Sequence, residues 1–186
     1  PVLPETTAVV AHGDGSTIAD TGARVLHTPG HTAGHLALVV DEHLFVGDTV
    51  LPMYTPNVGG SDPRLANPLD AFLRSLARID RQNGIIHPGH GTSAATIGRI
   101  AAIRDHHRAR SLRVFETVER LGEPTPWDVA TELFGEMRGI HAKFGAGEAA
   151  AHLAFLAAQD DLSRREASPT RFALASDPDA GPSASI

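Results

Sequence analysis

The sequence predicts an α/β chain, and three observations carry that prediction. Up to about Gly91, short apolar runs separated by Gly- and Pro-rich turns read as strands, interrupted by one helical stretch. After Gly91 the pattern is helical, with Gly122 and Gly135 as stops. The 186 residues are 41% hydrophobic and 20% charged, which suits one packed domain or a domain plus a small module.

The elements follow in order. Thr6 to Val10 and Ala23 to His27 read as strands, separated by the turn sequence HGDGS. Gly34–Val40 and His43–Asp48 form a hairpin pattern around the polar pair Asp41-Glu42. A Pro/Gly-rich loop from Leu51 to Arg64 follows, long for a plain connection and therefore a candidate functional loop. NPLDAFLRSLARID reads as a helix, with Asn67 as cap, Pro68 at the first position and an apolar stripe of Leu69, Phe72, Leu73, Leu76 and Ile79. IIHPGHG reads as a short buried strand entering a Gly-bounded loop.

Ala94 to Leu121 is then helical, and TPWDVATELFG is a helix capped by Thr125 and Pro126 and ended by Gly135. GIHAKFGAGE reads as a loop, GEAAAHLAFLAAQDD as a third helix, and LSRREASPTRFALA as a small hairpin. Helix, helix, helix, hairpin is the order of a winged helix. The division is 1–103, 104–175 and a compositionally disordered tail at 176–186.

Composition narrows the chemistry. With no cysteine and 11 histidines, a transition metal would have to be held by histidine and carboxylate. No apolar run has the roughly 18 residues of a membrane span, and no export signal opens the chain, so the expected setting is the cytoplasm without a membrane partner. The net charge of −6, with Lys143 the only lysine, does not favour nucleic acid.

HTPGHTAGH places His27, His31 and His35 at steps of four, as one helical face would. Pro29 and Gly30 forbid the helix. His27 ends a strand, His31 sits in the turn and His35 starts the next strand, so His31 is the histidine the turn presents. His27 and His87 read as packing or hydrogen-bonding residues, His35 as structural or as a support behind a ligand, and His43 as solvent-facing. His106 and His107 point about 100° apart on a helix and read as structural links between the two modules.

HTPGHTAGH, LFVGDTV and HPGHG, in this order and spacing, resemble the second half of the metallo-β-lactamase superfamily. The nearest likeness is to the glyoxalase-II-like branch with an appended winged helix, that of β-lactamase-like protein 2, over about residues 6 to 175. The resemblance implies the C-terminal part of an αββα sandwich that binds two zinc ions at its edge. It implies His31 as a ligand of the first metal, Asp48 as the bridge and His90 as a ligand of the second. The implied chemistry is metal-assisted hydrolysis of a small-molecule ester or thioester, of the hydroxyacyl-glutathione kind.

The superfamily's HxHxDH motif is absent; His12 in AHGDG has no second histidine two residues away. The chain therefore offers three of seven family ligands and lacks the water-orienting aspartate, so no catalytic residue is assigned. The expectation is an N-terminally shortened enzyme. Tyr54 and Asn57, in the loop after Asp48, are candidate substrate contacts.

Two alternatives stand beside the hydrolase: a metal-dependent endoribonuclease, and a non-catalytic remnant or winged-helix interaction protein. Residues 104–175 hold ten Arg/Lys against eleven Asp/Glu, which favours a lid or homodimer contact over nucleic-acid binding.

Overall fold

The computed structural model describes residues 14–18, 21–60, 62–92 and 98–175. The strand expected at Thr6–Val10, His12, the first residues of the long helix from Ala94, and the tail lie outside the described residues.

The first half is a four-stranded sheet with a helix on one face. Strands β1 (Arg24–His27), β2 (Leu36–Val40), β3 (His43–Gly47) and β4 (Ile85–Pro88) lie side by side in that order. β1 pairs with β2 and β2 with β3 antiparallel, while β3 and β4 are parallel. A parallel pair needs a crossover. Helix α1 (Pro68–Asp80) lies within it. Consequently β1, β3 and β4 all run the same way, and the segments that leave their C-terminal ends share one end of the sheet.

Alternation sorts the side chains. Leu26, Ala37, Val39, Leu44, Val46 and Ile86 turn inward onto α1, where Leu69, Phe72, Leu76 and Ile79 are fully buried. Burial of each such side chain stabilises by about 1.5–3 kcal/mol before entropy is counted. Asn67 caps α1 as expected, its side chain accepting from the Asp70 N–H at 3.2 Å. Arg78 in the last turn bonds the His27 carbonyl (3.0 Å) and Asp14 (2.7 Å), fastening α1 to the end of β1.

The other face carries the paired row Val25, Leu38, Phe45 and His87. Phe45 there is 47% exposed and stacks on His87 at 4.9 Å. His43 is not directed wholly to solvent, since its Nδ1 lies 2.9 Å from His87 Nε2. The buried reading of β4 is corrected: the strand ends the sheet among the described residues, and Ile85 is 51% exposed. Ile86 in that strand turns toward the helix-covered face.

The second half contains α2 (Arg99–Leu121), α3 (Pro126–Phe134), α4 (Ile140–Ala158) and a hairpin of β5 (Leu162–Arg165) and β6 (Arg171–Leu174). The element order is the one expected. The extent of α4 is not: GIHAKFG is its first two turns rather than a loop. Two glycines disguise the helix. Gly145 backs onto Met137 and Phe134, and Gly147 onto Gly59 and Gly60, where a Cβ would collide. They sit in the helix because neighbours approach too closely for a side chain.

Two cores result, and two helices serve both. Ile100 and Ile103 of α2, with Ala151 and Phe155 of α4, join the core under the sheet. Val114 and Val118 of α2 join Ala149, Leu153 and Leu156 of α4 in the second core, with Val129, Leu162 and Phe172. Position 103/104 falls inside α2. No helix among the described residues is long and apolar enough to cross a membrane.

Candidate metal centre

The common end of β1, β3 and β4 collects the three residues that the resemblance implies as metal ligands. His31 sits in the β1–β2 turn, Asp48 directly follows β3, and His90 follows β4 by two residues. The Gly89 N–H donates to the Gly47 carbonyl at 2.9 Å, holding the last two exits together. Asp48 lies between the imidazoles. Its Oδ2 is 3.7 Å from His31 Nε2, and its Oδ1 is 3.3 Å from His90 Nε2. His31 is mostly covered, whereas the His90 side chain is 74% exposed.

Hydrogen bonds orient two of these groups. The Asn57 carbonyl lies 2.9 Å from His31 Nδ1. A carbonyl only accepts, so Nδ1 carries a proton, and Nε2 is the ring nitrogen turned toward Asp48. His35 does the reverse: its Nε2 accepts from the Asp48 N–H at 3.1 Å. Its Nδ1–H then faces the buried hydroxyls of Thr28 (2.8 Å) and Thr49 (3.2 Å). Burial, with a smaller push from His31, holds the His35 ring below the ordinary histidine range, which keeps it the neutral acceptor this contact needs. Gly47 is obligatory here: its φ is +50°, and a Cβ would lie 2.7 Å from His35 Nε2.

The rest of the turn is fastened from the long loop. Asp62 accepts from the Ala33 N–H at 2.8 Å. Hydrogen bonds from Arg64, then from the Ala33 and Arg64 amides, hold its carboxyl well below the usual carboxylate range. His27 gives its ring N–H to the Ala33 carbonyl at 2.8 Å. The loop itself is packed, with Val50, Leu51 and Val58 buried. Met53 and Tyr54 are its outward pair, 73% and 70% exposed. Asn57 turns inward, its side chain accepting from the Gly60 N–H (3.1 Å) and donating to the Phe144 carbonyl (3.4 Å). Both ends of that amide are thus used within the protein.

Two imidazoles and a carboxylate are donors that zinc and similar divalent cations accept. Asp48 offers one oxygen to each side, as a bridging carboxylate does. The number of donors is smaller than a closed site needs: among the described residues no group of three or more His, Asp or Glu surrounds one point. Among the described residues each position beside Asp48 has two protein donors, where structural zinc takes four.

What reading residue by residue missed is the support of this cluster. Asp62 and the Asn57 carbonyl leave no trace in motif spacing, because one acts on a backbone amide and the other through its own backbone. The two threonines beside His35, at 28 and 49, flank its motifs and were the nearest available signal.

The chain is similar to several known proteins. A metallo-beta-lactamase family protein from Thermus thermophilus superposes with a TM-score of 0.73 at 30% identity, covering 88% of this chain and 53% of that one. A hydroxyacylglutathione hydrolase from Shewanella loihica is 30% identical over 90 residues, 48% of this chain and 33% of the relative. A beta-lactamase-like protein 2 homolog from Drosophila melanogaster is 32% identical over 110 residues, 58% of this chain and 35% of the relative. No family model matches the chain. In sequence and in fold the chain is similar to proteins of the metallo-β-lactamase superfamily. It spans about half the length of the solved structure and about a third of these two curated relatives.

Proposed function

We propose that this chain carries the His31–Asp48–His90 part of a zinc-dependent hydrolytic centre acting on thioesters or esters of the hydroxyacyl-glutathione kind. The observation that carries this reading is Asp48, with one carboxylate oxygen facing each imidazole at the shared end of three strands. When bound at such a place, divalent cations polarise a substrate carbonyl and acidify water.

The chain's own residues do the positioning. His31 presents Nε2, Asp48 spans both positions, and His35 fixes the Asp48 amide. Met53 and Tyr54 form an exposed rim in the loop that follows Asp48, suited to the body of a substrate. Asn57 supports the loop from inside, so Tyr54 is the better candidate of the two for substrate contact. Residues 104–175 form a winged-helix-like module in this reading. The second core of α2, α3, α4 and the hairpin supports it, and a lid or homodimer contact is its role.

A second reading has its own observation. Among the described residues two protein donors flank each position beside Asp48, fewer than a closed zinc site takes, and a non-catalytic reading would account for that number.

Zinc titration by calorimetry, with a thioester hydrolysis assay, separates the readings. Zinc uptake that Asp48→Ala weakens by at least about 10–100-fold, together with turnover, supports the hydrolase. Uptake without turnover, or no uptake, assigns the non-catalytic reading. Salt-dependent cleavage of single-stranded RNA would instead assign the endoribonuclease.

A further inference from the structure

We propose that Asn57 is the positioning residue for the His31 ring, and that helix α4 sets the ring's tautomer through it. An imidazole can ligate only through the nitrogen that lacks the proton, so whatever holds the other N–H decides which face is presented. For His31 that partner is a loop carbonyl, Asn57 O. A loop carbonyl is only as fixed as its residue, and Asn57 is anchored to α4.

The anchor is specific. The Asn57 amide donates to the carbonyl of Phe144, in the second turn of α4, at 3.4 Å. A helical carbonyl has a second lone pair to offer such a donor. The other end of the amide accepts from the Gly60 N–H. The approach that permits this is set by absent side chains. A Cβ on Gly147 would lie 2.6 Å from Gly60 N and 2.8 Å from the Gly59 carbonyl carbon. A Cβ on Gly60 would lie 2.5 Å from Asn57 Oδ1. Backbone meets backbone here, and any side chain would push the loop off the helix. Since α4 is built into both cores, the His31 ring is referenced to the most buried helix of the second half rather than to its own turn.

The consequence for zinc rests on the reading of His31 as a ligand; the tautomer itself does not. The experiment therefore begins with metal-free protein, labelled with ¹⁵N-histidine, in mildly alkaline solution. Long-range ¹H–¹⁵N spectra of the ring nitrogens report each tautomer. In the natural sequence His31 should be a single Nδ1–H species. Asn57→Ala keeps the carbonyl but removes the anchor, and should give a tautomer mixture. Asn57→Asp keeps the Gly60 contact but cannot donate to Phe144, and should fall between. Gly147→Ala displaces the loop with Asn57 intact, and should reproduce the mixture from the helix side. Lys143→Ala, on the same helix, should change nothing. The His107 and His152 signals in the same spectra verify that each variant is folded.

Zinc affinity should fall in parallel, by roughly 10–100-fold in Asn57→Ala. An Nε2–H tautomer in the natural sequence would overturn the proposal. So would an unchanged tautomer in folded Asn57→Ala and Gly147→Ala. If the tautomers shift as stated while the natural sequence takes up no zinc, the positioning role stands and the metal reading falls.

Discussion

His107 on α2 is almost wholly buried, edge-on to Phe72 at 5.4 Å. Its Nδ1 is 3.4 Å from His152 Nε2, while its Nε2 has no hydrogen-bond partner among the described residues. Burial, with His106 and Arg110 nearby, lowers its pKa to about 3. His152, held by Ser111 at 2.8 Å, is lowered in the same direction by burial. Both rings are therefore neutral when folded, and an unfolded chain protonates them first as pH falls below about 6.5. The unfolded state then binds more protons, so stability drops with acidification across about pH 6.5 to 3. Each such group adds up to about 1.4 kcal/mol per pH unit. Glu148, raised by burial despite its Arg110 partner, pulls the other way. Urea unfolding from neutral pH to pH 4 should show this slope, and His107→Met should remove about one proton's share. An unchanged slope would place the acid sensitivity elsewhere.

At the scale of elements, capping decides what can be read. Thr125 accepts from the Asp128 N–H, and Asp128 accepts from the Thr125 N–H and hydroxyl, a reciprocal box at the start of α3. Thr125→Ala should cost about 0.5–2 kcal/mol in denaturant unfolding. Caps of this kind are local in sequence, which is why α1 and α3 were legible almost to the residue. α4 was not, because glycine has two meanings: Gly135 ends a helix, whereas Gly145 and Gly147 lie inside one to admit neighbours. The strands were legible from their alternation. The exposure of β4 was not, since its place at the sheet edge follows from pairing with β3, about 40 residues away in sequence. His31, Asp48 and His90 were singled out through the family resemblance of their three motifs, and the structure places each at a Gly-bearing strand exit. The partner of His31 was not, because a backbone carbonyl looks the same in every residue type.

Across the whole molecule, α2 and α4 are shared beams. One end of α2 lies under the sheet and the other inside the helical core. A boundary at 103/104 would cut α2, a helix that contributes to both cores. We predict a single cooperative unfolding transition. Fluorescence of Trp127, the only tryptophan and a reporter of α3, should change with the same midpoint as near-ultraviolet dichroism of Tyr54 and the phenylalanines. Two separated midpoints would show that the helical half melts by itself.

The parallel pairing of β3 and β4 has a consequence in time. Asp48 and His90 are neighbours only after the chain between them has crossed over, docked α1 and added β4 to the sheet edge. Closing that long excursion is a slow step in forming contacts. The cluster therefore cannot seed the fold; it is finished when the fold is finished. If the chain takes up zinc as proposed, zinc in stopped-flow refolding should leave the folding rate unchanged and slow only unfolding, the mark of contacts made after the transition state. A chain built this way would take up an ion last.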